Sequence, residues 1–342
     1  MSSDITHNNH YVPQFYLQNW SSDSVHIYEY SLLVPDSRIP YWKPSAIRYT
    51  AKWNDFYTRV VGDREADDFE KWFNTTFENP AKPVFQKILN REQISREDST
   101  ILSRYIAAQH LRTPARATKI ITMLQEIMPG ILKEVHEKLD SAYIPKPDLV
   151  PMEYAELLPL SVSIDRDKRT ITTGTVIGKS MYLYALKYLL TTTLHVMDNY
   201  SWQVVHAADG ISFPTSDDPV ICLNYYSENE YDFCGGWGRQ HSNIIIPVSP
   251  EILLFTEVGS HTPASNLDYS VKWSQFFRKI IVEHAHRYVY AIAPQKGMLS
   301  IHPRLVDRTL YLQEQEKLAN WHHDQLDAEL ALKRNSSNIQ QE

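Results

Sequence analysis

Phe213-Pro214-Thr215-Ser216-Asp217-Asp218-Pro219-Val220-Ile221-Cys222 is the stretch on which the reading of this chain turns. Ser201 to Ala207 before it and Val220 to Leu223 at its end are short runs rich in β-branched and apolar residues, which reads as two strands. Small polar residues closed by a proline lie between them, and a loop held by buried strands is where carboxylates are presented in fixed positions. Asp218 precedes Pro219 and is pushed to an extended backbone, while Ser216 or Asp217 can cap its own main chain. The same residues also suit an Asx-type turn that only joins two strands.

Working outward, a chain of 342 residues with 43% hydrophobic and 22% charged residues has the composition of an ordinary globular protein. A net charge of −7 argues against a surface coated with cations for nucleic acid, but it leaves room for a local basic groove. Two cysteines, Cys222 and Cys234, form no CxxC pair and suggest a reducing compartment. The opening residues lack a basic segment followed by an apolar one, so a cytoplasmic location is expected. With 10 glycines and neither phosphate-loop nor dinucleotide fingerprint, there is no nucleotide-binding motif, and the cofactor is unknown.

Before the loop, the pattern is mostly helical. Pro13 suits the first turn of a short helix carrying Phe15, Tyr16 and Leu17. Ser24 to Tyr30 and Asp55 to Val61 alternate as strands do, and a helix is expected from Arg64 to about Pro80, then another from Lys82 to Leu89. Ser95-Arg96-Glu97-Asp98 reads as a capping box opening a helix that stops at Pro114. A long helix resumes from Ala115, with a break expected at Pro129-Gly130, and Ile144 to Pro151 is the linker candidate. Val162 to Thr172 suggests a hairpin with Asp165-Arg166-Asp167-Lys168 at its tip. Val176 to Met197, apolar over more than half its circumference, is expected as a central buried helix. Beyond the loop come strands at Ile244–Val248, Ile252–Val258 and Arg287–Ile292, a helix around Leu267–Glu283, and a polar helix from Pro303 that dissolves near Arg334-Asn335-Ser336-Ser337. The class is α+β: a helix-rich N-terminal half packed on a mixed, mainly antiparallel sheet in the C-terminal half.

Four further places can carry chemistry. Gln109 and Arg112 are three apart on one helical face, and Arg112, Arg116 and Lys119 continue it across the proline, so a guanidinium fork there suits an anion. Arg112 near a helix end can equally complement the dipole. His7-x-x-His10 has ligand spacing but no third clustered ligand, which argues against a metal. His284-Ala285-His286 reads as a helix end, and Arg287, a charge opening an apolar strand, needs a partner such as Asp217 or Asp218. Glu65 and Glu70, five apart, suit a solvated helix face.

Four segments in this order, His10-Tyr11-Val12-Pro13-Gln14-Phe15-Tyr16-Leu17, Arg104 to Gln109 with Arg112-Thr113-Pro114, Thr215 to Val220, and Pro247-Val248-Ser249-Pro250, resemble a bacterial family, domain of unknown function 4238. The family pattern has Asn where Asp218 stands and Leu where Val248 stands. The resemblance implies one domain over about residues 9–293, with a helical part near 64–140 and an α+β part near 160–293. A C-terminal helix at 303–330 and a disordered tail at 331–342 follow it. It implies a bacterial or mobile-element origin and no reaction, and it gathers His10, Gln109, Arg112 and Asp217 as positions expected to meet. Two functions follow. In a hydrolase acting on a phosphodiester or glycosidic bond of nucleic acid or nucleotide, in phage defence or as a toxin, Asp217 is the base or leaving-group stabiliser. Asp218 is its weaker alternate, His10 is the acid, and Arg112, Gln109, Arg116, Ser216 and Arg287 hold the anion. In a binding or structural module, the same polar residues recognise a small anionic ligand or lock the two halves together.

Overall fold

In the computed structural model, which describes residues 5–61, 64–140, 159–165, 170–260 and 266–339, short strands come first. These are β1 (Asn8–His10), β2 (His26–Ser31), β3 (Leu33–Val34), β4 (Lys43–Ala46), β5 (Lys52–Asn54), β6 (Arg59–Val61) and β7 (Arg64–Ala66), with the one-turn helix α1 (Gln14–Leu17) after Pro13. Phe56 and Tyr57, read above as strand, occupy a buried turn instead, because the Asn9 side chain rather than a ladder partner accepts the Tyr57 N–H at 3.0 Å. Arg64–Ala66 pairs with β6, so Glu65 stands on a strand and only Glu70 on a helix.

α2 (Asp68–Phe73) passes through one π turn, Asn74–Glu78, into α3 (Asn79–Leu89). The break expected at Pro80 does not occur: the backbone stays helical through Phe73, Glu78 and Asn79, and the π turn ending at Glu78 carries the helix past the proline. α4 (Arg96–Leu111) opens on the expected capping box: Ser95 Oγ accepts the Asp98 N–H and Asp98 Oδ2 accepts the Ser95 N–H. α5 (Pro114–Asp140) runs straight through Pro129, which is exposed, so the carbonyl its ring frees can reach water.

β8 (Leu160–Asp165) and β9 (Thr170–Thr175) make the expected hairpin; residues 166–168 of its expected tip and the linker candidate Ile144–Pro151 lie outside the described residues. α6 (Lys179–Tyr188) is shorter than expected and changes pitch at its end, through a π turn (Leu189–Thr193) and a 3₁₀ turn (Leu194–Met197). Its buried side still reads through Tyr182, Leu183, Leu186, Leu190, Leu194 and Met197.

The remaining elements are β10 (Gln203–His206), β11 (Thr215–Ser216), β12 (Ile221–Ser227), β13 (Glu230–Asp232), β14 (Ser242–Pro247), β15 (Ile252–Glu257), β16 (Asn266–Asp268), α7 (Val271–His284), β17 (Tyr288–Ala291), α8 (Met298–Ile301), β18 (Leu305–Val306) and α9 (Arg308–Ile339). α9 stays helical through the Asn335-Ser336-Ser337 segment where it was expected to dissolve.

Two sheets organise an α+β fold. The larger has the order β13-β12-β14-β15-β10-β16 and is antiparallel except between β10 and β16. Its strands alternate between two dry faces. Val204, Cys222, Ile244, Ile246 and Leu254 face the main core, which reaches from Tyr11 to Trp321, while Val205, Ile221, Leu223, Ile245 and Leu253 pack on Phe276, Phe277, Ile280 and Ile281 of α7. The smaller sheet, β11-β17-β2-β4, takes its edge strand from the loop quoted at the outset. That loop does not simply link β10 to β12. It leaves the larger sheet, pairs Thr215 and Ser216 with Tyr290 and Val289, and returns at Asp217-Asp218.

Because one core cluster collects residues from the first strands to α9, urea unfolding is expected as a single transition that coincides by tryptophan fluorescence and far-UV circular dichroism. Leu186→Ala, at a fully buried position of α6, should lower its free energy by about 2–5 kcal/mol without splitting it.

Candidate functional site

The four quoted segments form one hydrogen-bonded knot. Tyr16 of α1 donates its hydroxyl to the Pro247 carbonyl at 2.7 Å and contacts Thr215 Oγ1 at 2.8 Å. Trp20 Nε1 donates to the Phe213 carbonyl and Asn19 Nδ2 to the Val248 carbonyl, both at 2.8 Å. Gln109 Nε2 reaches back to the Tyr11 carbonyl at 2.9 Å. Thr113, preceding Pro114 at the start of α5, accepts the Arg116 N–H as a helix cap and donates its hydroxyl to Asp218 Oδ1 at 2.9 Å.

Within that knot the side chains take separate places. Arg112 is 1% exposed and directs Nε and Nη2 to Gln109 Oε1, Nη1 to Glu78 Oε1 at 2.7 Å, and its face to the Phe73 ring. Its charged partner is therefore Glu78, not Asp217. His10, at the end of β1, is half-buried, and desolvation lowers its pKa, so it is neutral near pH 7. Asp218 faces Thr113, with Arg116 Nε and His284 Nε2 each 3.8 Å from Oδ2, and Ser216 Oγ accepts the Asp218 N–H. The basic residues are thereby divided: Arg112 is spent on Glu78, Arg116 approaches Asp218 while its Nε and Nη2 make no hydrogen bond, and Lys119 and the nearby Arg104 face solvent. Cys222 is no activated thiol either. Burial pushes it up to about 11, and the Nδ1 of neighbouring His110 is occupied by Trp237 Nε1–H.

Of the expected quartet, Asp217 lines a cavity that His10, Gln109 and Arg112 do not reach. Its Oδ1 accepts the His286 N–H at 2.9 Å and its Oδ2 the Arg287 N–H at 2.8 Å, which ties the loop to the start of β17. The cavity, about 350 Å³, is walled by Tyr11, Lys52, Trp53, Tyr288 and Thr118 on one side and by Tyr311, Glu314, Lys317 and Leu318 of α9 on the other, with Asp217, His286 and Arg287 also lining it. Burial and then the Asp218 carboxylate push the Asp217 carboxyl up to about 7, against the pull of main-chain N–H groups. Across the cavity Arg287 donates Nε to Glu314 Oε2 at 2.8 Å and pairs Nη2 with Oε1, which holds Glu314 below the ordinary carboxylate range. Desolvation and then Arg287 lower His286 to about 4. Arg287 thus gives its N–H, not its guanidinium, to Asp217.

Residues 8–293 match the family described as a protein of unknown function (DUF4238). The chain belongs to that family. No curated protein and no solved structure matches it. The DUF4238 segment ends just after β17, so α9 and the Glu314 wall lie beyond it. Tyr11, Lys52, Trp53, His286, Tyr311, Glu314 and Lys317 were not singled out by their sequence as site residues. Tyr11 and His286 sat in noticed motifs, and the residues of a polar terminal helix carry no local signal of the wall they form. Among the described residues, no group of three or more His, Cys, Asp and Glu side chains is arranged to hold a metal, and no helix is long and apolar enough to cross a membrane.

Arg112→Gln should cost about 3–5 kcal/mol in urea unfolding, since Glu78 would be left without its cation inside the protein. Asp217→Asn presents an NH₂ to a main-chain N–H, and that mismatch should cost about 1–3 kcal/mol. Its pH dependence has a definite sign. A carboxyl at about 7 when folded and 3.8 otherwise stabilises the fold while protonated, and that contribution is lost as pH rises through about 7. The gap in unfolding free energy between wild type and Asp217→Asn should therefore be widest near pH 4 and narrow toward pH 7.

Proposed function

We propose that this protein is a hydrolase that takes a nucleotide, or a nucleotide unit of nucleic acid, into the Asp217 cavity and cleaves its glycosidic bond. The observation that carries this reading is that one cavity holds two carboxyl groups driven in opposite directions by their surroundings: Asp217 upward to about 7 and Glu314 downward. Such a pair divides the labour of acid catalysis. Asp217, protonated for much of the time near neutrality, can give its proton to the departing base. Glu314, ionised, can stabilise positive charge developing on the sugar or accept a proton from the attacking water. Lys52 and Lys317 supply cations for a phosphate, and the rings of Trp53, Tyr288 and Tyr311 offer faces for a base. Cations inside a cleft of an otherwise acidic protein also focus the field on an anion.

A second reading, a non-catalytic receptor for the same anionic ligand, is favoured by the fact that both Asp217 oxygens and both Glu314 oxygens already carry hydrogen bonds from the protein. Calorimetry with a panel of nucleotides, followed by chromatography of each mixture for free base, separates the two. Binding that weakens about tenfold in Lys52→Ala and falls as salt rises is expected on either reading. Release of base that disappears in Asp217→Asn and in Glu314→Gln, with binding retained, is expected only of the hydrolase. Binding without any released base leaves the receptor, and no binding to any member of the panel refutes both.

A further inference from the structure

α9 closes the Asp217 cavity from outside the family segment, yet little apolar surface holds it there. Trp321 is its one buried hydrophobic residue among those described, packed 5.3 Å from Trp53, whose Nε1 donates to the Leu318 carbonyl. Half-buried apolar side chains add to this, Leu332 against Gly174 among them, and two of the attachments are polar: Glu314 to Arg287, and a cluster one turn beyond Leu318 around His322. There Lys179, 4% exposed at the N-terminus of α6, donates Nζ to the Asp55 carbonyl at 2.6 Å and to His322 Nδ1 at 2.7 Å. The opposite ring nitrogen, Nε2, lies 3.2 Å from Glu65 Oε1 of β7. With Nδ1 accepting from an ammonium, the proton of the neutral ring must stand on Nε2, facing Glu65. Gln325 Oε1 adds a bond to the Lys179 N–H and approaches so closely that a Cβ at Gly178 would meet it at 1.7 Å.

We propose that α9 is a latched wall of the Asp217 cavity, and that protonating His322, where it is clamped between Lys179 and Glu65, loosens it. A second proton puts an N–H⁺ at Nδ1 against the Lys179 ammonium. The 2.7 Å bond is then lost and replaced by repulsion between like charges. The charged and titratable groups around the ring are Lys179 from α6, Glu65 from β7, the Asp55 carboxylate from the turn after β5, itself bonded to His7, Arg59 of β6, paired with Asp68, and His323 and Glu329 on α9, the His323 ring centre 5.7 Å away. Desolvation and then Lys179 lower the docked His322 below 6.5, so the released helix binds the proton more readily. The sign follows: docking is intact above about 6.5 and weakens as pH falls below it.

The latch rests on geometry independent of the cavity's ligand, and its test needs none. Hydrogen–deuterium exchange of the full chain at about pH 7.5 and about pH 5.5, corrected for intrinsic rates, should show about a tenfold loss of protection over Tyr311 to Gln325 at the lower pH. The amides of β14 should keep theirs. His322→Gln retains one acceptor and one donor without titrating, and the loss should vanish. Should that variant fail to fold, Lys179→Met, which removes the opposing ammonium, should shrink the loss. Equal protection of α9 at both pH values in the wild type overturns the proposal, as does a loss that persists undiminished in either variant.

Discussion

The Asp217 carboxylate takes the main-chain N–H groups of His286 and Arg287, and at that point the chain passes from the small sheet back to the large one. These two bonds extend a short ladder, because β11 is only two residues long and only three residues separate the end of α7 from β17. Without the carboxylate, two N–H groups at a buried crossing would lack partners, and each such group costs about as much as a whole hydrogen bond yields. The same residue lines the cavity with a carboxyl that titrates near neutrality. The bonds that fix the loop also fix the direction in which this carboxyl faces the cavity.

Around that crossing the other motif residues act as internal fasteners. Arg112, Gln109, Glu78 and the Tyr11 carbonyl form a buried network whose charged members are matched inside the protein, and Thr113 ties the start of α5 to Asp218. A guanidinium so enclosed cannot also meet a solvent-borne anion. Lys52 and Lys317, from parts of the chain with no family motif, stand at the cavity.

α9 then completes what the family segment begins. Glu314 is held ionised by Arg287, while Asp217, more deeply buried and beside a second carboxylate, is held toward its neutral form. Environment rather than residue type separates the two acids. One of them rides on α9, so the composition of the cavity wall depends on how that helix is seated.

The sequence by itself determined what depends on near neighbours. The Ser95–Asp98 capping box, the Thr113-Pro114 start of α5, the Ser216 cap on Asp218, the α+β class and most strands of the large sheet rest on spacing within a turn or on two-residue alternation, and those signals are local. The importance of the Asp217 loop was legible for the same reason: few residues besides small hydroxyls, carboxylates and a proline make such a turn. Tertiary structure alone decided the rest. Pairing β11 with β17 rather than with its chain neighbours, the π turns that carry helices past Pro80 and the threonines at 191–193, the choice of Glu78 for Arg112, and the wall supplied by α9 all depend on which surfaces meet after collapse. An arginine's partner is set by burial and by the carboxylate that burial brings within reach, and Glu78 lies 34 residues from Arg112 along the chain, beyond any local pattern.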